Sequence, residues 1–140
     1  MEHKVKFTKI SKAELANLGK GVTDKLWDNF IVPIKNGLTP PDELQGKYKP
    51  SWECSFINSP MKQAFINHAK KLNLYHYHFG YQFYRNGNDP VYTGDVSDGI
   101  VHTRIEVEDT YTTHIILQSC LEHPSPFKYP FERSSDEEID

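Results

Sequence analysis

The residues best able to do chemistry are concentrated in one short run, Leu74-Tyr75-His76-Tyr77-His78-Phe79-Gly80. On an extended strand, side chains at i and i+2 share a face. His76 and His78 therefore point one way, and Tyr75, Tyr77 and Phe79 the other. The aromatic row is the natural core face, which leaves the imidazoles toward solvent or a cleft. His102 and His114 fall on two further strand-like segments. If these strands are neighbours, four imidazoles could lie within one sheet face. Imidazole titrates near neutrality and so suits general acid or base work.

His-x-His on a strand is also a metal-ligand spacing. No Glu follows at the short interval a cupin-type site uses, so the expectation is acid–base chemistry without a metal or other cofactor, with a small His-x-His metal-dependent enzyme as an alternative. Ser97-Asp98-Gly99-Ile100-Val101-His102 reads as a turn entering a strand. Asp98 either orients an imidazole or caps that turn. A Ser/His/Asp triad drawn through Ser97 lacks the nucleophile elbow that would support it. Lys47, Tyr48 and Lys49, followed by Trp52, alternate bases with rings. That pattern suits a single RNA strand, with cations on phosphates and rings stacked on bases. The competing reading is a solvated loop whose aromatics pack on the body. Arg85 and Arg104 add positive charge at or within the strands, and on chemical grounds both are candidates to stabilise a phosphate.

The elements that must position these groups follow from periodicity. Val5–Ile10 alternates as a half-buried strand. Ser11 with Glu14 forms a capping-box pattern for a helix to about Leu18, interrupted by Gly19 and Gly21. Thr23 is the next N-cap candidate, before apolar residues at helical spacing (Leu26, Trp27, Phe30, Ile31). Pro33 disturbs that helix and Asn36-Gly37 ends it. Residues 38–60 read as a long loop. Ser59-Pro60 opens a third helix with Met61, Phe65, Ala69 and Leu72 on one face. Strands are expected at about Leu74–Tyr84, Ile100–Val107 and Thr112–Leu121. The order gives an α+β fold: an antiparallel β-meander with two or three N-terminal and central helices packed on one face.

At 140 residues the chain has the size of one domain. No apolar run approaches a membrane span. Met1-Glu2-His3-Lys4 lacks the apolar stretch of a secretory signal. Cys54 and Cys120 are therefore expected to be reduced thiols, and the chain to be cytoplasmic with no membrane partner. The net charge of −3 hides an uneven distribution: residues 132–140 carry five acids and one Arg, which leaves the rest at +1. The expectation is a single domain over 1–131 with an acidic, disordered, solvating tail over 132–140.

Several segments, in their order, carry a family likeness. They are Ile34-Lys35-Asn36-Gly37-Leu38-Thr39-Pro40, Leu44 to Tyr48, His76-Tyr77-His78-Phe79, Ser97 to His102, and Ile115-Ile116-Leu117 with His123-Pro124. This succession resembles the YafO-type toxins of bacterial toxin–antitoxin pairs, across roughly residues 30 to 124. That family is similar in turn to the RelE-like ribosome-dependent endoribonucleases. The resemblance implies a compact RelE-like α+β fold and cleavage of mRNA in the ribosomal A site, and with it inhibition of translation. It also implies neutralisation by a cognate antitoxin, and no metal. The chemistry implied is attack of a ribose 2′-hydroxyl on the adjacent phosphate, with His76, His78 and His102 as acid and base. His102 stands where the family pattern has Tyr.

Overall fold

The computed structural model describes residues 2–37, 44–53, 60–122, 130, 133 and 136–139. Cys54, Ser59 and His123 lie outside the described residues.

The chain begins with β1 (Glu2–Thr8) and passes directly into α1 (Lys9–Leu18). The N-cap is Thr8, three residues before the expected Ser11. Ser11 instead completes the capping box: its N–H donates to the Thr8 hydroxyl (3.1 Å), and its own hydroxyl accepts from the Thr8 N–H (3.0 Å). Ser11 Oγ also reaches the Ile116 carbonyl at 2.7 Å, which ties the helix to the sheet. Gly19 ends α1 at φ +97°. Helix α2 (Lys20–Leu26) starts at once, so Gly21 and Thr23 lie inside it rather than forming a break and a cap.

Pro33 has a local consequence. It cannot donate to the carbonyl four residues earlier, and its ring crowds that carbonyl. The helix widens into a π turn over Trp27–Ile31 before α3 (Val32–Lys35), with the Val32 N–H reaching Trp27. The carbonyl four residues before Pro33 belongs to Asn29. It accepts the Tyr77 hydroxyl at 2.8 Å, while the Asn29 side-chain amide donates to the Phe79 carbonyl at 2.9 Å. The helix thus spends its backbone defect on a bond to the sheet.

The remaining elements are β2 (Tyr48–Pro50), inside the expected loop, α4 (Pro60–Lys71), β3 (Leu74–His78), β4 (Ile100–Val107), β5 (Tyr111–Cys120) and β6 (Glu138–Ile139). They complete a six-stranded sheet of order β2-β3-β4-β5-β1-β6. The fold is α+β. Strands β2 to β5 form the antiparallel meander, and β1 joins β5 in parallel, so the whole sheet is mixed.

One sheet face carries Phe7, Tyr77, Val101 and Ile116. It buries Leu15, Leu26, Phe30 and Ile34 from α1 to α3. Each such large apolar side chain contributes about 1.5–3 kcal/mol on burial. The one-sided packing expected of the helices holds for these three. Helix α4 joins the opposite face, where Ala69 clusters with Leu74, Ile115 and Leu117. Its stripe is rotated from the expected one: Ile66 and Ala69 are buried, and Phe65 is 46% exposed.

The acidic segment is not wholly the disordered tail that composition suggests. Glu138 and Ile139 pair antiparallel with Thr8 and Phe7, and Arg133 bridges to Glu14 of α1 at 2.9 Å.

Candidate functional site

Strand β3 stops at His78, well short of the expected Tyr84. Gly80, at φ +91°, turns the chain out of the sheet, and a Cβ there would meet the Tyr84 ring and the Asn29 amide. Residues 81–99 then form an excursion that folds on itself at Arg85 and Val96 and bridges to the β2 edge at Gly46 and Asp95. Residues 86–90 therefore do not form a hairpin between sheet strands. They belong to this excursion.

Pairing places the chemistry-bearing residues in two adjacent rows on the face opposite α1–α3. Lys49, His76 and His102 are consecutive partners in one row. In the next, the His78 N–H donates to the Lys47 carbonyl (3.1 Å), and His78 is opposite Ile100. The His76 ring lies 5.9 Å from that of His78 and 6.5 Å from that of His102, centroid to centroid. The three expected imidazoles thus come together. They do not face open solvent, since His76, His78 and His102 are 7%, 4% and 2% exposed.

Two serines hold the rings. His76 Nδ1 is 3.0 Å from Ser51 Oγ. His78 Nδ1 lies 3.1 Å from the Ser97 nitrogen and 2.8 Å from the Ser97 oxygen. It can accept from the N–H when its lone pair is free, and donate to the carbonyl when it carries the proton. One backbone residue therefore orients this imidazole in either state, as acid–base work requires. Ser97 is itself fixed, accepting from the Gly80 N–H (3.0 Å) and donating to the Gly99 carbonyl (2.8 Å).

The two lysines are not displayed on a solvated loop. Lys49 Nζ is 2.6 Å from Asp89 Oδ2, and Lys47 Nζ is 3.6 Å from the same oxygen. The hydrogen bond from Lys49, with those from the Tyr92 and Val91 N–H groups, holds the Asp89 carboxyl far below the usual range. Burial, then repulsion from Lys49, pushes the Lys47 ammonium below its ordinary value, against the pull of Asp89. A cleft of about 460 Å³ opens in the same excursion, lined by residues 86, 87, 89 and 92–95.

The other expected site residues lie elsewhere. Tyr48 is 2% exposed and cannot stack on a base. It faces the helices, with its hydroxyl 2.7 Å from Thr103 Oγ1 and 3.0 Å from His114 Nδ1. His114 is therefore on the face opposite the other three imidazoles. Its Nε2 is 3.0 Å from His3 Nδ1. Burial, and secondarily the neighbouring His3, lower its pKa to about 4. Arg85 pairs with Asp98 at 3.0 Å, in an exposed bridge. Asp98 thus holds an arginine, and the orienting role falls to Ser97. Arg104 shares the imidazole face but is held by Glu106 and Glu138, each at 3.3 Å.

Asp89 and Ser51 went unread in the sequence. Asp89 had a signal, being the only charged residue between Arg85 and Asp95. Ser51 could be placed only once β2 was known to pair with β3.

Among the described residues, no three His, Cys, Asp or Glu side chains are grouped so as to hold a metal. No helix there is long and apolar enough to cross a membrane. Comparison with protein-family models, curated proteins and solved structures finds no match for this chain. The functional reading therefore stands on the site itself, which offers proton donors and acceptors beside paired ammonium groups.

Proposed function

We propose that the chain is a ribosome-dependent mRNA endoribonuclease of the YafO type, the toxin of a toxin–antitoxin pair. The observation that carries the reading is the pair of rows that sets His76, His78 and His102 beside Lys47 and Lys49. Cleavage of RNA by its own 2′-hydroxyl needs those group types. An imidazole takes the 2′-hydroxyl proton as the oxygen attacks the adjacent phosphorus. Lysines neutralise the charge gathering on the phosphorane oxygens. A second imidazole protonates the departing 5′-oxygen. The P–O5′ bond breaks as the P–O2′ bond forms, leaving a 2′,3′-cyclic phosphate and a 5′-hydroxyl. No redox partner or metal enters this scheme. The cellular partners are then the ribosome with its mRNA and a neutralising antitoxin, all in the cytoplasm.

The test is expression of the intact chain in bacteria, with mapping of mRNA ends in a translating extract. Growth arrest with new 5′-hydroxyl ends, both lost in His78→Ala, supports the reading. Neither arrest nor cleavage, in a host whose ribosomes it recognises, would defeat it. The second reading is a non-catalytic interaction module. It is favoured by the low exposure of the imidazoles and the engagement of both lysines by Asp89. Arrest that survives His78→Ala without new RNA ends would select it.

A further inference from the structure

We propose that Lys47 and Lys49 form a phosphate subsite beside the imidazoles, and that the Asp89 carboxylate fills its anion position in the free chain. That the phosphate belongs to RNA rests on the proposed function. The anion subsite itself does not.

The geometry is that of an occupied anion site. One carboxylate oxygen, Asp89 Oδ2, lies between two ammonium groups on the same strand edge. The lysine side chains are 14% and 18% exposed and that of Asp89 10%, so the three are largely out of water. Two ammoniums on one carboxylate leave an excess positive charge, in a setting where charge is poorly screened. A phosphodiester oxygen can take the position of Oδ2 with the same donors. Its scissile bonds would then lie beside His76 and His78, which neighbour Lys49 and Lys47 in their rows.

Asp89 is also built to leave. Its other oxygen, Oδ1, accepts from the Val91 and Tyr92 N–H groups at 2.9 and 3.0 Å. Those bonds lie within its own loop and survive if the loop releases the lysines. A second acid of this excursion, Asp95, lines the cleft and pairs with the β2 edge through its backbone. It opposes a bound anion but is not seated between the lysines.

The probe is inorganic pyrophosphate, titrated calorimetrically into the full chain. Asp89→Asn keeps an acceptor for Val91 and Tyr92 and removes the competing charge. It should bind pyrophosphate about tenfold more tightly than the natural chain. The added substitution Lys49→Gln should abolish that gain. Equal affinity in Asp89→Asn, or a gain that persists without Lys49, overturns the proposal. Should Asp89→Asn fail to fold, the natural chain decides. Pyrophosphate should shift the Val91 and Tyr92 amide resonances, and their silence at saturation overturns the subsite. Pyrophosphate binding at the lysines without RNA cleavage would retain the subsite and remove the nuclease. Cleavage that pyrophosphate does not inhibit would do the reverse.

Discussion

The two faces of the sheet each bury histidine, to nearly the same degree, and put it to different use. His114 is 1% exposed and His102 2%, so burial alone does not separate them. Their neighbours do. His114 sits among aromatic rings and hydroxyls, with Tyr48 on one ring nitrogen and His3 on the other. Desolvation there favours the neutral ring, and the network serves packing. On the other face His76 and His78 neighbour two lysines, and the Ser97 N–H and carbonyl between them can hold His78 in either protonation state. A buried imidazole becomes a candidate for chemistry when what surrounds it can carry an anion and follow a proton.

The largest expected effect is a crossed pair of outcomes. His78→Gln should lower the proposed RNA cleavage by about 10²–10⁴-fold, the usual worth of a general acid or base, with little loss of stability. His114→Leu should cost about 1–3 kcal/mol in urea unfolding and leave the folded protein active. Equal losses of activity in both would dissolve the contrast.

Gly46→Ala should damage both faces at once. Its Cβ would strike the His78 carbonyl and lie 2.8 Å from the Tyr77 ring, a backbone clash with no flexible end to yield. A loss of about 3 kcal/mol or more, read from the denaturant midpoint, is expected. A neutral result would show that the β2 edge can shift.

The pH dependence isolates the packing face. His114 has its pKa lowered from 6.5 to about 4, so the unfolded chain binds a proton that the folded chain refuses between those values. Stability from this group is intact above pH 6.5. It falls as pH drops toward 4, by roughly 3 kcal/mol in all. The difference between the natural chain and His114→Leu, followed by urea unfolding across that window, should show this slope. Parallel curves would refute it.

The smallest effect concerns the site face. Arg104 is committed to Glu106 and Glu138, so Arg104→Gln should leave cleavage within about threefold. A larger loss would mean that the guanidinium turns toward substrate.

Much of this was legible in the chain. The parity of His76 and His78 against the aromatic row follows from strand geometry alone, and β4 runs over the expected Ile100–Val107. What failed was register. The turn that brings the Glu108 N–H to the Tyr111 carbonyl sets Val107 opposite Thr112, and hence Ile105 opposite His114. That odd-to-even pairing sends His114 to the face opposite His102. The shift between His102 and Thr103 then sets His102 opposite Gln118, which no pattern in the residues announced. Tyr48 was misread for a related reason. Gly46 and Pro50 mark a loop by composition, whereas tertiary pairing makes the span between them an edge strand. The Lys47 and Lys49 contacts could not be foreseen either, because they depend on a loop forty residues further on.

The parallel pairing of β1 with β5 bears on how the molecule assembles. His3 and His114 are 111 residues apart, so β1 emerges during synthesis long before its partner exists. Lys47, Lys49, His76, His78 and His102 all lie between residues 47 and 102, and the strands that pair them need only nearer neighbours. Contacts of short loop length form sooner than distant ones. Assembly should therefore divide in time, with β2, β3 and β4 pairing before β1 is captured, an order that pulse-labelled hydrogen exchange during refolding can read strand by strand.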